Sequence, residues 1–521
     1  MRVASFYVEN FGCRATQADG AAIERQFTER GFARAASPEQ AEIVVLNTCT
    51  VTAAADQDAR AAVRRIKRQN PECQIVVTGC YAQRAPEEIA ALSGVAQVIG
   101  NSHKHQLASL VVPYVSAAKA GSDSISDSVR LNAWPGTKVA QDLLIPATHG
   151  GFVPVTELRP DDRLTPFRPT TTDQRLFVSD IFAHTELVAA PVFDSANERT
   201  RPNLKVQDGC DNRCSFCIIP YVRGQSRSLP ISEVIREVNT LVAAGYREVV
   251  ISGINLGRWG RDLAGSRQSS EVSDFAAGKR GFEELVRAIL NYTELEKLRI
   301  SSVEPMDWTD ELIGLVATSD RIAKHAHVPM QSGSDRILRA MHRKYRPWHY
   351  REKIEKIRAA MPTAAIGADV MVGFPGETDA DFEQTRRMIE DLPFTYLHVF
   401  TYSARPGTPA AAMENQVPLG VARERNRVLR ELAAEKKLEF MRSFVGKTLT
   451  AITLNQFDGE CTEALTDNYL KLRLVSHVPA NQWITAHIEQ VDGEHFIGTS
   501  DSASSALQNA RSLDSASLRS G

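Results

Sequence analysis

Apolar and polar positions divide the chain into three stretches of regular pattern, separated by stretches that have none. In the first, residues 2–9 alternate as a strand does, and residues 16–30 carry apolar side chains at helical spacing. Residues 41–47 form a continuous apolar run of the kind that is buried on both faces. A helix over 53–69, a strand over 74–78 and a short helix over 86–92 follow. Strands alternating with helices predict a covered parallel sheet, so a flavodoxin-like α/β domain is expected over residues 1–112. The alternation returns over residues 196–435, with strands at 204–207, 248–255, 298–305, 324–332, 366–376 and 396–403. Six β/α units predict an open, partial TIM-like (β/α)6 barrel, closed by a long charged amphipathic helix over 418–444. Short strands at 447–454, 469–475 and 482–489 predict a small C-terminal β-barrel over 436–500.

Between these lie segments that cannot bury a core. Residues 113–195 read as a partly disordered linker, poor in periodicity and rich in Ser, Asp, Pro, Gly and Thr over 117–172. Residues 262–281 interrupt the second unit, and the Ser/Ala-rich residues 501–521 read as a disordered tail.

Composition narrows the class. At 521 residues there is room for two to four domains, and 43% hydrophobic with 24% charged residues is ordinary for a soluble globular chain. No apolar run is long enough to span a bilayer, and residues 1–10 lack the apolar core of a secretory signal. A cytoplasmic protein without a membrane partner, working as a monomer, is expected. The net charge of −2 carries no nucleic-acid footprint, but two local crowds of cations do. One is Arg60, Arg64, Arg65, Lys67 and Arg68 on a single helix; the other is Arg336, Arg339, Arg343, Lys344 and Arg346. Charge alone leaves each as either a phosphate-binding patch or a solvated face.

The cysteines carry the chemistry. Of eight, six stand in motifs, which suits metal thiolates better than a disulfide scaffold. Cys210, Cys214 and Cys217 fall within eight residues of a Gly-Asp-Asn loop, with no fourth Cys or His nearby to close a structural zinc site. Three soft ligands suit a four-iron cluster whose fourth iron is open to chelate a small molecule. Cys13, Cys49 and Cys80 each follow a predicted strand of the first domain, where ligands of such folds collect. They read as a second three-thiolate site. Cys73 precedes its strand and Cys461 has no partner motif, so both read as structural.

The spacing C-x-x-x-C-x-x-C, with Phe216 before the last Cys, resembles the signature of the radical S-adenosylmethionine (SAM) superfamily. The motifs around Cys13, Cys49 and Cys80 resemble the N-terminal domain of the methylthiotransferases, a radical SAM family with two clusters; the resemblance covers most of the chain outside the two insertions. One departure lies in Gly12–Gln17, where Thr16 stands near the place of the family's usual Asn. The C-terminal strands resemble the TRAM domain, an RNA-binding module. From residue 443 to 500, however, Lys447, Lys471 and Arg473 face seven acidic residues, so RNA contact there must lean on shape or stacking.

The resemblance implies two [4Fe-4S] clusters and SAM as cofactors, tRNA as partner, and an electron donor such as flavodoxin or ferredoxin. It implies that the strand-end residues line the SAM pocket: Phe216, Ser252 and Gly253 at the methionine end, Ser302 and Glu304, and Gln331 on the interior wall. Gly373–Glu377 is either part of that rim or a plain turn, and His325 with His327 read as wall residues rather than ligands. No catalytic side chain is assigned beyond the clusters. The implied reaction adds a methylthio group to C2 of an adenosine beside the anticodon, with SAM as methyl and radical source. Asn47–Thr52 most resembles the branch acting on N6-threonylcarbamoyladenosine. Action on N6-isopentenyladenosine is the second reading and on a ribosomal-protein aspartate the third. A non-catalytic iron–sulfur carrier with an RNA-binding module remains the alternative of another class.

Overall fold

The computed structural model describes residues 4–111, 175–184, 187, 200–263 and 281–500. Most of the expected linker, most of the second insertion and the tail lie outside them. The first unit is a parallel sheet of β1 (Ser5–Asn10), β2 (Ala33–Arg34), β3 (Ile43–Thr48), β4 (Gln74–Gly79), β5 (Val95–Gly100) and β6 (Leu176–Phe177) in the order β2-β1-β3-β4-β5-β6. Its first five strands have the flavodoxin-like order. The apolar run of β3 is wholly buried because helices cover both faces: Val45 packs with Phe6, Ile23 and Phe27, and Val44 with Val63, Ile66 and Ile75. Residues 176–177 fall within the stretch expected to be linker. They pair instead with Val98 and Ile99 of β5 through main-chain bonds, which leave no apolar period to read.

The second unit has β7 (Asn203–Asp208), β8 (Arg227–Ser228), β9 (Glu248–Gly253), β10 (Lys297–Ile300), β11 (His325–His327), β12 (Ala365–Val372) and β13 (Tyr396–Thr401). Apart from the short antiparallel β8 on its edge, the strands run parallel in chain order. The bridge Ser302–His327 joins the β10 side to β11, so the two sheets form one open barrel wall. The period of two sorts the side chains. Leu204, Val206, Val249, Ile251, Leu298, Ile300, Ile366 and Val370 enter the core under the helices. Their alternates line the opposite, polar face: Lys205, Gln207, Glu248, Ser252, Arg299, His325, His327, Asp369, Tyr396 and His398. On that face Glu248 pairs with Arg299, and His325 meets the Tyr396 hydroxyl at 2.6 Å. The closing helix Leu419–Arg442 packs on β13 and runs across the expected boundary at residue 435.

The third unit is a closed barrel of β14 (Thr448–Phe457), β15 (Thr462–Thr466), β16 (Lys471–Leu474), β17 (Trp483–Asp492) and β18 (His495–Ser500), in the order β14-β15-β16-β18-β17. The turn between β15 and β16 reaches into the second unit. Arg299 donates to the Asp467 carbonyl at 3.1 Å, Asn468 to the Thr363 carbonyl at 3.0 Å, and the Tyr469 ring lies 4.8 Å from that of His325. The first unit in turn touches both edges of the open wall. On the β7 side Asn203 donates to the Arg14 carbonyl at 3.1 Å; beyond β13, Arg405 reaches the Thr50 carbonyl at 3.2 Å and the Asp56 carboxylate at 2.7 Å.

Candidate active site

Because β1, β3 and β4 are neighbours, the loops after them converge. Cys13 caps the helix Arg14–Glu29, Cys49 follows β3 directly, and Cys80 opens the helix Cys80–Arg84. Gly12 adopts φ +100°, and a β-carbon there would fall 2.6 Å from that of Cys49, so glycine lets the two loops close up. Burial pushes the Cys49 thiol up to about 12, and the nearby Cys80 and Cys13 add to the rise. The Cys13 sulfur lies 3.6 Å from the Thr16 hydroxyl, so the departure from the family's Asn still leaves a hydrogen-bonding partner. The Asn101 amide faces the Cys80 sulfur at 3.6 Å.

The second triad lies at the carboxyl end of β7. Cys210 accepts from the Asn212 backbone at 3.4 Å and lies 3.6 Å from the Asn255 amide; Cys214 faces the Arg343 guanidinium at 3.3 Å. The Cys217 thiol is pushed up to about 12 by burial and then by Cys214 and Cys210, so these three also crowd one another. Among the described residues no group of three or more His, Cys, Asp or Glu is disposed to hold a single metal ion. A lone zinc would need its sulfurs within about 4.6 Å of one another, twice the Zn–S bond, whereas a multi-iron cluster spreads its thiolates around a larger core. Three thiols with hydrogen-bond donors aimed at them is a donor set that fits such a cluster at each site.

The two triads share one seam. Cys80 packs against Ile218 and Val222, which closely follow Cys217, and Asn101 also donates to the Val222 carbonyl at 2.7 Å. Beside them lies a buried charge network. Arg223 binds Asp208 and Asp19, each at 2.9 Å; Lys205 binds the same two carboxylates; Lys104 binds Asp19 at 2.8 Å. Burial alone would raise the Asp19 carboxyl, but Lys104, Lys205 and Arg223 outweigh it and hold it well below the usual carboxylate range.

The other expected residues fall as follows. Ser252 is buried on the polar wall with no partner for its hydroxyl among the described residues. A β-carbon on Gly253 would meet the Gln207 amide oxygen at 2.9 Å. Gln207 and Asn255 carry no sequence signal of their own, yet they build the cluster loop: Gln207 donates to the Gly209 carbonyl at 2.8 Å and accepts from the Asn255 backbone at 2.7 Å. Glu304 is engaged by Arg343, the guanidinium that meets Cys214. Ser302 bridges to His327, and Gln331, at φ +63°, bridges to Val370. Phe216 packs on Ile337, Met341, Phe374 and Ala410. Gly373–Glu377 is a turn: the Glu377 carboxylate accepts from the Gly373 backbone at 2.7 Å and pairs with Arg425. Of the two crowds of cations, Arg60, Arg65, Arg336, Arg339, Arg343 and Arg346 are all tied to carboxylates, while Arg64 and Arg68 remain exposed.

A three-thiol loop after the first strand of an open (β/α)6 wall defines a radical SAM protein, and residues 204–389 match the Radical SAM superfamily. Residues 5–100 match the uncharacterized protein family UPF0004. The chain is 33% identical over 474 residues to a threonylcarbamoyladenosine tRNA methylthiotransferase of Bacillus subtilis, covering 90% of each. It is 31% identical over 467 residues to the Aquifex aeolicus protein of the same name, covering 89% of this chain and 95% of that one. A tRNA-2-methylthio-N(6)-dimethylallyladenosine synthase of Novosphingobium aromaticivorans is 32% identical over 448 residues, covering 85% of each. The chain therefore belongs to the radical SAM methylthiotransferases, in the branch of the threonylcarbamoyladenosine tRNA enzymes. Its cofactors are SAM and two [4Fe-4S] clusters.

Proposed function

We propose that the protein adds a methylthio group to C2 of N6-threonylcarbamoyladenosine beside the anticodon of tRNA. The observation that carries this reading is the seam: two three-thiol sites meet across the open side of one barrel, so one bound base can address both. When bound, the cluster of Cys210, Cys214 and Cys217 supplies radical chemistry on SAM, and that of Cys13, Cys49 and Cys80 supplies the sulfur-bearing iron. The chain's own residues hold and tune these centres. Asn255 and the Asn212 amide direct hydrogen toward Cys210, Arg343 brings positive charge to Cys214, and Asn101 serves Cys80 as a neutral donor. Ile218 and Val222, buried against Cys80, and the buried charge network beside them pack the two units together next to the triads.

Ser252, Gly253, Ser302, Glu304, Gln331 and Phe216 are proposed for the SAM side of the cleft. An electron donor of the flavodoxin or ferredoxin type, a monomeric state and a cytoplasmic location complete the proposal. Among the described residues no helix is long and apolar enough to cross a membrane. The dimethylallyl branch stays the second reading, because a relative of that name is as similar in identity as several of the threonylcarbamoyl type. Mass analysis of tRNA nucleosides from a deletion strain and its complement separates them. Loss of the methylthio form of threonylcarbamoyladenosine, with its isopentenyl counterpart kept, is expected. Loss of only the isopentenyl product would transfer the chain to the other branch, and no change in either would remove tRNA as substrate.

A further inference from the structure

We infer that Arg14 is a specificity-determining residue that binds the carboxylate of the threonylcarbamoyl group; the inference rests on the substrate reading above. A threonylcarbamoyl substituent ends in a carboxylate, whereas a dimethylallyl substituent is an uncharged hydrocarbon. A site that favours the first over the second needs a cation whose charge is not already taken.

The space between the first unit and the barrel wall is rich in cations, and most are taken. Lys205 and Arg223 are held by Asp19 and Asp208, Arg299 by Glu248, Arg343 by Glu304, and Arg405 by Asp56. Arg14 differs. It is exposed, and no carboxylate among the described residues pairs with it. Yet it is held in place: its guanidinium donates to the Tyr469 hydroxyl at 3.2 Å, and its carbonyl accepts from Asn203 of β7 at 3.1 Å. Tyr469 in turn lies 4.8 Å from the His325 ring and 6.0 Å from that of Tyr396, so the guanidinium stands at the polar wall of the barrel and not on the outer surface.

Its position is unfavourable for a cation unless something else needs it there. Arg14 is the first residue of the helix Arg14–Glu29, at the positive end of the helix dipole, with no acidic residue in the first turn. It also directly follows Cys13, so an anion that it holds lies beside the N-terminal triad. A guanidinium presents a planar fork that matches a carboxylate with two parallel hydrogen bonds. The same wall offers flat faces for a base. His327, His398 and Phe400 form a row with ring centroids 5.6 Å and 6.5 Å apart, and Phe400 at its end is exposed.

The test uses the full chain with reconstituted clusters and three RNA hairpins of one sequence. One carries threonylcarbamoyladenosine, one its threonyl methyl ester, and one unmodified adenosine. Dissociation constants are measured together with iron content. The wild type should prefer the acid over the ester by about tenfold or more, the range for a hydrogen bond to a charged group. In Arg14→Gln, at wild-type iron content, that preference should fall to near one. A preference unchanged in Arg14→Gln would overturn the inference while leaving the substrate reading intact. A wild type that binds the acid no better than unmodified adenosine would remove the substrate reading, and the inference with it. Should Arg14→Gln fail to load iron, Arg14→Lys carries the same comparison. It should keep a reduced preference, since one ammonium replaces a two-pronged fork, and an undiminished preference would again overturn the assignment.

Discussion

Four of the six thiols of the two triads have different side-chain neighbours: Thr16 for Cys13, Asn101 for Cys80, Asn255 for Cys210 and Arg343 for Cys214. The cysteines themselves were legible because their spacing, and their places after three successive strands, are local properties of the chain. Their neighbours were not. Asn255 and Arg343 come from 45 and 129 residues away, and no pattern short of the folded wall brings them to a sulfur. Gln207 was hidden in another way, as a polar residue on the alternate face of a strand read for its apolar ones. The separate neighbours also make the sites separable by mutation. Cys49→Ala should keep iron at the barrel site and keep cleavage of SAM to 5′-deoxyadenosine, while methylthio product vanishes. Cys214→Ala should lose 5′-deoxyadenosine and product, with iron kept at the N-terminal site. Iron content, deoxyadenosine yield and modified tRNA decide it; full product from Cys49→Ala would defeat a two-cluster mechanism.

At the scale of elements, most long strands and helices were readable, but β5, β15 and β18 were missed along with the two-residue strands. β2, β6 and β8 are two residues each, too short to leave a period in their side chains. The fourth barrel strand, expected over 324–332, pairs as a regular strand only over His325–His327. Beyond it the chain turns through Gln331 at φ +63° and keeps a single bridge to β12. The seam between helix Arg14–Glu29 and β7 was equally invisible, since each charge of Asp19, Lys104, Lys205, Asp208 and Arg223 reads alone as a surface residue. Asp19→Asn would leave Lys104, Lys205 and Arg223 short of a counter-charge in a buried place. A loss of about 3–5 kcal/mol is expected from denaturant unfolding at neutral pH. The sign with pH follows from the depressed carboxyl. Its contribution is complete above the ordinary value of about 4 and is lost as the pH falls through that value toward the folded one. The gap between wild type and Asp19→Asn should therefore close on the acid side; a gap that stays constant down to about pH 3 would exclude this network as its source.

For the whole molecule, the question is how an enzyme of net charge −2 grips a polyanion. Most of the crowded arginines turn out to be neutralised within the fold, and what remains on the helix after the Cys49 loop is Arg64 and Arg68. Reversing both to Glu should weaken tRNA binding and flatten its dependence on log salt by about two units, one for each phosphate no longer neutralised. Unchanged affinity and slope would make that helix a solvated face. The C-terminal barrel, with its acidic balance, invites the view that it is a detachable RNA clamp. The turn Asp467–Tyr469 argues against that view, because it supplies a carbonyl to Arg299, a ring to His325 and a hydroxyl to Arg14. A truncated enzyme would thus carry two lesions at once, a missing module and an unroofed pocket. Its loss of turnover would say nothing about RNA affinity until a chain with the module present and only Tyr469→Phe had been measured beside it.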